Sequence, residues 1–156
     1  MAGLASQLEE LYRRRYAVFR HAVAGYLGSS EGAHDAVQEG FARALARRET
    51  FRGEGSLEAW VYRIVLRTAR EQGRRPRDVG LAEELTAPDQ PSLAPLLEAV
   101  RQLPPRRRLV VFLRFFADLS YAEIAQATGM AEGTVAATLS RARTDLAALL
   151  QEGVVG

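Results

Sequence analysis

The sequence predicts an all-α fold of two small helical domains joined by a flexible acidic linker. Apolar residues recur at helical spacing over most of the 156-residue chain, and the alternation typical of strands is not sustained. Four of the six prolines fall within residues 76–95, where the helical pattern stops. The charge also changes sign there, because residues 78–100 hold five acidic residues and no arginine. We therefore predict domains at 1–77 and 96–156 and a linker at 78–95.

The N-terminal domain is predicted to contain three helices. The first covers about residues 4–27 and ends at Gly28, a residue type that commonly closes helices. Ser29 or Ser30 is expected to cap the second helix, at about 31–49. A glycine-containing loop at 51–56 precedes the third helix, at about 57–74, and Ser56 is its expected cap.

The third helix carries the most informative pattern of this domain. Spacings of four, three and four residues predict one line of arginines along its surface, formed by Arg63, Arg67, Arg70 and Arg74. Trp60 borders this line. Stacked like charges destabilise an isolated helix, so we expect a negative partner such as a nucleic-acid backbone. The alternative is a solvated face balanced by acidic residues of another helix.

The C-terminal domain is predicted to contain a helix-turn-helix. Its helices are expected at about 95–102, 105–117, 120–128 and 131–151, with Gly129 in the tight turn and Ser120 and Glu123 in capping-box spacing. On the first helix of the motif, Ile124 and Ala125 should be buried. The second helix should direct a polar face into a DNA major groove. That face consists of Thr134, Ala137, Ser140, Arg141 and Thr144. Upstream of the motif, the candidate phosphate contacts are Arg106, Arg107 and Arg108.

Composition excludes several classes of function. The chain has no cysteine and no lysine, which excludes disulfides, thiol nucleophiles and the lysine of a P-loop. The two histidines, His21 and His34, lie on separate helices without metal-ligand spacing, so we expect no metal, no cofactor and no catalytic residue. No apolar run is long enough to span a bilayer, and the N-terminus lacks signal-peptide character. A cytoplasmic location is therefore expected.

Two segments resemble the extracytoplasmic-function (ECF) group of the bacterial sigma-70 family of RNA polymerase sigma factors. DAVQEGFARAL at 35–45, followed by FRGEGSLEAWVYRI at 51–64, resembles region two of the family. LPPRRRLVVFLRFFADLSYAEIAQATGMAEGTVAATLSRAR at 103–143 resembles region four. The resemblance implies an initiation factor that directs core RNA polymerase to promoters, recognises their −10 and −35 elements and helps to open the DNA.

The resemblance also implies contact residues for each partner. The clamp of the largest polymerase subunit would bind Asp35, Gln38, Glu39, Phe41 and Arg43. The −10 element would bind Trp60, Arg63, Arg67, Arg70, Glu71, Arg74 and Arg75. The −35 element would bind Arg106, Arg107, Arg108, Ser120, Tyr121, Thr134, Ala136, Ala137, Ser140, Arg141 and Arg143. Region four would also dock on the flap of the second-largest subunit, an anti-sigma factor is a further candidate partner, and the holoenzyme would associate with the bacterial nucleoid.

Departures from the family pattern qualify these expectations. Arg67 stands where the family often has asparagine, and Ala136 and Thr138 stand where basic residues are common. Each missing phosphate contact should weaken DNA binding. The resemblance also implies a role for the linker, in which Glu83, Glu84 and Asp89 would mimic nucleic acid in a basic channel of the polymerase. The alternative is a merely soluble tether.

The second functional hypothesis is a stand-alone helix-turn-helix regulator that does not depend on polymerase. Such a protein would need only the C-terminal domain. It would leave the 35–45 motif and the arginine line without a role. The initiation factor is therefore the preferred interpretation.

Overall fold

A computed structural model describes residues 3–74 and 94–155, and within these two ranges every regular element is a helix. We call the ranges the N-terminal half and the C-terminal half. The all-α prediction is confirmed. The predicted linker at 78–95 lies almost wholly outside the described residues, as does Arg75, so its acidic residues have no structural account.

The N-terminal half contains α1 (Leu4–Leu27), α2 (Ser30–Ala46), a 3-10 turn (Arg48–Thr50) and α3 (Leu57–Glu71). Gly28 closes α1 with a φ of 72°, and the Ser29 side chain accepts a hydrogen bond from the Gly32 amide. Ser56 caps α3 in the same way, by accepting from the Ala59 amide. Local chemistry therefore explains the starts of the second and third helices.

Two predicted helices end earlier than expected. Helix α2 stops at Ala46, ahead of the 3-10 turn, and helix α3 stops at Glu71. Gly73 has a φ of 75°, and the amides of Gly73 and Arg74 donate to the carbonyls of Arg70 and Ala69. This Schellman arrangement terminates α3. Arg74 therefore lies beyond the helix, and the predicted line of four arginines contains three.

The C-terminal half contains α4 (Ala94–Arg101), α5 (Pro105–Val111), a π-helical turn (Phe112–Phe116), α6 (Tyr121–Thr128) and α7 (Glu132–Val155). The π turn replaces the end of the helix predicted at 105–117. Both hydrogen bonds of the capping box are present, because the side chains of Ser120 and Glu123 each accept from the backbone amide of the other. Gly129 has a φ of 79° and joins α6 to α7, which confirms the helix-turn-helix.

Side-chain burial corrects two details of the predicted core. The sequence pattern places Leu45 on the apolar face of α2 together with Ala33, Val37, Phe41 and Ala44, but Leu45 is 44% exposed. Ala125 is only partly buried, and the small side chain that α6 buries in the core is Ala127. Both residues stand next to the buried stripe of their helix, and the tertiary neighbours decide which edge of an apolar stripe is covered.

The two halves pack directly against each other. Helix α1 contacts α5 and the π turn, and α3 contacts α6. Buried residues from both halves form one continuous core. The sequence predicted two separately tethered domains, so this contact between them is a finding of the structure. It arises because α1 and α3 each have apolar surface left over after packing on α2.

Candidate nucleic-acid and protein interface

The arginine face of α3 is solvent-accessible. Arg63, Arg67 and Arg70 are exposed and form no hydrogen bond or ion pair within the described ranges. Like charges at this spacing repel one another, so the helix is held by its buried opposite face. Val61, Tyr62 and Val65 on that face are fully buried. Three cations held on one rigid face form a surface suited to a phosphate backbone.

A pocket lined mainly by arginines, with one aromatic side chain, lies beside this face. It has a volume of about 190 Å³ and includes Trp60, whose ring centroid is 5.2 Å from that of Phe51. The sequence identified Trp60 but missed Arg47 and Thr50, which also line the pocket. The spacing of four residues between Arg43 and Arg47 was the available signal. The base of a nucleotide can stack in such a pocket while the neighbouring phosphates contact the surrounding arginines.

The predicted polymerase-binding face of α2 is only partly available. Gln38 and Glu39 are exposed, and Gln38 donates a 3.0 Å hydrogen bond to the Tyr12 hydroxyl. Asp35 is half-buried. Phe41 is 7% exposed and packs edge-on against Phe19 in the core. Its proposed contact with a partner is therefore not supported by its position, since aromatic side chains at the buried edge of α2 hold α1 in place.

Ion pairs join the proposed polymerase face to the end of α3. Arg74 donates to Asp35 at 2.9 Å, and Arg43 bonds both Glu71 and, at 3.3 Å, Glu39. The hydrogen bond from Arg43 is the main reason that the pKa of Glu71 is lowered. Asp35 thus balances Arg74, the fourth arginine of the predicted line, and the charge of Arg67 also contributes to the lowered pKa of Glu71. Acidic residues therefore supply part of the balancing charge that the alternative view of the arginine line required.

The outward face of α7 is arranged as the helix-turn-helix prediction requires. All of its predicted members are exposed: Thr134, Ala137, Ser140, Arg141 and Thr144. Arg143, on the flank of this face, is exposed as well. Ala136 is at the edge of this face. Thr138 is 7% exposed and donates a hydrogen bond to the Thr134 carbonyl. Position 138 therefore faces the core, and the expectation that a phosphate contact is missing there is wrong.

The first helix of the motif presents Ser120 and Tyr121 near its N-terminus. Ser120 is exposed, and its hydroxyl accepts a hydrogen bond from the Glu123 amide. Tyr121 is half-buried, and the Arg114 guanidinium lies 5.8 Å from its ring centroid. Burial of Glu123 opposes ionisation, but hydrogen bonds involving Ser120 and Ser56 together lower its pKa.

The three consecutive arginines at the start of α5 have different surroundings. Arg106 is exposed, whereas Arg107 forms a 2.6 Å ion pair with Asp145 of α7. Arg108 is 1% exposed and donates to the carbonyls of Arg101, Leu103 and Tyr26. The prediction that Arg108 holds DNA phosphates is contradicted in this arrangement, because its guanidinium is committed to backbone oxygens.

A cleft of about 850 Å³ separates the arginine face of α3 from the C-terminal half. One wall carries Arg63, Arg67, Arg70 and Arg74, and the other carries Arg106. Its apolar lining includes Leu66, Leu109 and Met130. The cleft is therefore lined by both cationic and apolar side chains, which suits an acidic amphipathic segment or a polyanion.

No group of three or more potential metal-ligating side chains occurs in 3–74 or 94–155. None of the helices in these ranges is long and apolar enough to cross a membrane.

Comparison with known proteins identifies the family. The family described as Sigma-70 region 2 matches residues 11–78, and Sigma-70, region 4 matches residues 93–146. The chain is 34% identical over 124 residues to RNA polymerase sigma factor SigV of Bacillus subtilis, covering 75% of each protein. It is 33% identical over 150 residues to the ECF RNA polymerase sigma-E factor of Haemophilus influenzae, covering 80% of this chain and 79% of the relative.

The fold comparison agrees with the sequence comparison. CnrH, solved in complex with the cytosolic domain of CnrY, superposes with a TM-score of 0.72 and 26% identity over 96% of both chains. Both halves are included in that match, so the similarity extends beyond the helix-turn-helix. The chain belongs to the ECF group of the sigma-70 family of RNA polymerase sigma factors.

Proposed function

We propose that this sigma factor uses three separate surfaces to direct core RNA polymerase to its promoters. The exposed face of α2 binds polymerase, α3 and the Trp60 pocket bind the −10 element, and the outward face of α7 binds the −35 element. The observation that carries the proposal is the row formed by Arg63, Arg67 and Arg70, which has no ion-pair partner among the described residues. The chemistry of RNA synthesis belongs to the polymerase, and the factor supplies specificity.

Polymerase docking is assigned to Gln38 and Glu39, with Asp35 and Arg43 at the edges of the same face. These side chains project from a helix whose opposite side is buried, so their spacing is rigid. The clamp of the largest subunit is the proposed partner of this face. The flap of the second-largest subunit is the proposed partner of the C-terminal half.

Recognition of the −10 element is assigned to α3. Opened DNA presents unstacked bases and a flexible phosphate backbone, which an aromatic pocket and a row of cations can hold together. Trp60 supplies the ring, and Arg63 and Arg67 lie in both the row and the pocket wall. The proximity of these residues supports capture of one flipped base beside its own phosphates.

Recognition of the −35 element is assigned to the exposed face of α7, with Ser120 and Tyr121 at the start of α6. Arg141 and Arg143 provide charge, and Ala136 and Ala137 offer apolar contact to thymine methyl groups. Arg106 holds one flanking phosphate. Arg107 holds another after it exchanges its Asp145 partner for the phosphate. Arg108 is left out of this set because it is buried.

An anti-sigma factor is a proposed regulator. The similar protein CnrH was solved with the cytosolic domain of CnrY. The cationic cleft of this chain supports an equivalent complex with an acidic helical partner. We also place the factor in the bacterial cytoplasm, and at the nucleoid when it is part of holoenzyme.

The experiment is transcription by purified core polymerase on a pool of random promoter fragments, with and without this protein. The double substitution Gln38→Ala, Glu39→Arg should lose specific transcripts and weaken core binding more than tenfold, because a charge reversal at the centre of an interface costs about 2 kcal/mol or more. The matched control, Ser6→Ala with Glu9→Arg on exposed α1, should keep both activities.

Other outcomes discriminate the alternatives. Full transcription by the double variant would overturn the α2 assignment. Duplex binding by the wild-type protein without any binding to core polymerase would favour the stand-alone regulator.

A further inference from the structure

We propose that the pocket beside Trp60 selects a base with two adjacent hydrogen-bond acceptors, and that Arg47 is the residue that reads this base. Guanine and cytosine meet the requirement, and adenine and thymine do not. The inference rests on the assignment of α3 and this pocket to the −10 element. It adds the class of base that the pocket accepts and a residue that determines the choice.

The polar side chains that line the pocket are nearly all hydrogen-bond donors. Four guanidinium groups contribute, and the Trp60 indole can only donate as well. Among the described residues that line the pocket, none is acidic and none carries a side-chain amide. Thr50 has the one side-chain oxygen, and its proton is donated at 2.7 Å to the Arg47 carbonyl. An acceptor on a base therefore meets several charged partners, whereas an amino group meets one neutral oxygen.

The acidic groups near the pocket are engaged by Arg43. This side chain bonds Glu71 and, at 3.3 Å, Glu39. Neither carboxylate lines the pocket. Arg43 is thus held in place with its charge largely balanced, and the donors left for a base come from the other three arginines.

Arg47 is the arginine whose placement is specific to this pocket. Arg63 and Arg67 also line the larger cleft, whereas Arg47 does not. The Arg47 carbonyl accepts hydrogen bonds from both the amide and the hydroxyl of Thr50, at 2.8 and 2.7 Å, which fixes the backbone after α2. Its side chain is exposed and forms no hydrogen bond or ion pair within 3–74 and 94–155. Arg47 therefore suits base reading, and the α3 arginines suit phosphates.

The geometry of a guanidinium explains the selectivity. Its two parallel N–H groups match two acceptors that lie side by side. Guanine offers N7 and O6 in this arrangement, and cytosine offers N3 and O2. In adenine both N1 and N7 adjoin the 6-amino group, and in thymine an N3–H separates the two carbonyls. Those bases place a donor against donors, which leaves polar groups unpaired. The base captured from the −10 element is therefore guanine or cytosine.

The test uses Trp60, the only tryptophan of the chain, as a reporter in the pocket. The full-length protein is titrated at low salt with ten-nucleotide DNA strands that are abasic except at one central position. That position carries one of the four bases, and a fully abasic strand gives the phosphate contribution alone. Dissociation constants come from the Trp60 fluorescence. We expect guanine and cytosine to bind about tenfold more tightly than adenine and thymine.

Substitutions at Arg47 separate geometry from charge. Arg47→Lys keeps the charge but loses the paired donors, and Arg47→Gln loses both, so each should reduce the preference to about twofold or less. The matched control is Arg48→Gln, because Arg48 donates at 2.8 Å to the Leu45 carbonyl and does not line the pocket. It loses the same charge and should retain the tenfold preference.

Two outcomes would overturn the proposal. The first is equal affinity of the wild-type protein for the four bases, or a preference for adenine or thymine. The second is a preference for guanine and cytosine that survives in both Arg47 variants, since another group would then read the base.

A further variant separates this inference from the −10 assignment on which it depends. Arg63→Ala with Arg67→Ala should weaken binding of every strand, the abasic one included, because phosphate contacts are lost. Binding that depends on these two arginines but not on the base would retain the −10 assignment and overturn the selectivity. Binding that neither changes Trp60 fluorescence nor depends on the two arginines would overturn both.

Discussion

The arginines of α3 can be compared with the three consecutive arginines at the start of α5. On α3, Arg63, Arg67 and Arg70 share one face and are all exposed. On α5, Arg106 is exposed, Arg107 is ion-paired and Arg108 is buried. Successive helical residues point about 100° apart, so three in a row cannot share one surface, whereas spacings of three and four residues can.

The comparison shows that arginine count is a poor guide to a DNA-binding surface. Arg108 has the same charge as its neighbours, yet its position in the helix turns it towards three backbone carbonyls. Arg108 shares its helix face with Val111 and Phe112, three and four residues ahead, and both of these side chains are buried. The consequence is that substitutions in the two arginine groups should change different properties of the protein.

The largest expected effect is on folding, at Arg108. Arg108→Met should lower the free energy of unfolding by about 3 kcal/mol, because it leaves buried carbonyls without donors. Arg106→Met should change it by less than about 0.5 kcal/mol, as expected for an exposed site. Urea unfolding at pH 7 measures both, and equal effects would remove the distinction drawn between these neighbours.

The next effect is on DNA binding, at α3. Replacing Arg63, Arg67 and Arg70 with alanine should reduce the salt dependence of single-strand binding by up to about two units, at roughly 0.7 per phosphate. The unfolding midpoint should stay the same or rise, since repulsion between like charges is removed. A variant with unaltered salt dependence would show that the row is a solvated face.

A smaller change tests the recognition helix. Ala136→Arg adds a cation at the edge of the proposed −35 surface and should steepen the salt dependence of duplex binding by about 0.9 unit. Thr138→Arg is the matched comparison, because it places the same charge at a buried position. We expect that variant to lose stability without this gain, as measured by thermal unfolding and duplex anisotropy.

The smallest effect concerns pH and the capping box of α6. The pKa of Glu123 is lowered from 4.5 on folding, so its contribution to stability is complete above pH 4.5 and is lost as the pH falls through the folded pKa. Glu123→Gln should therefore show a smaller loss of stability between pH 6 and pH 3 than wild type. Urea midpoints across this range measure the difference, and equal losses would contradict the assignment.

Local elements of the fold were predictable because their signals lie within a few residues of one another. Ser29, Ser56 and Ser120 each cap a helix through an amide three residues ahead. Gly129 forms the turn of the helix-turn-helix, and the outward residues of α7 follow from its periodicity. The helix ends were less accurate, since the Schellman turn at Gly73 depends on geometry that propensity does not specify.

By itself, the sequence determined the helical class, the caps, the helix-turn-helix and the residues that resemble sigma regions two and four. Only the tertiary structure decided that Arg108 reaches the Tyr26 carbonyl and that the Phe112 ring packs on Gly25. The physical reason is separation along the chain. Hydrogen bonds within one helical turn are encoded locally, whereas Arg108 and Tyr26 are 82 residues apart and meet only because the two halves share a core.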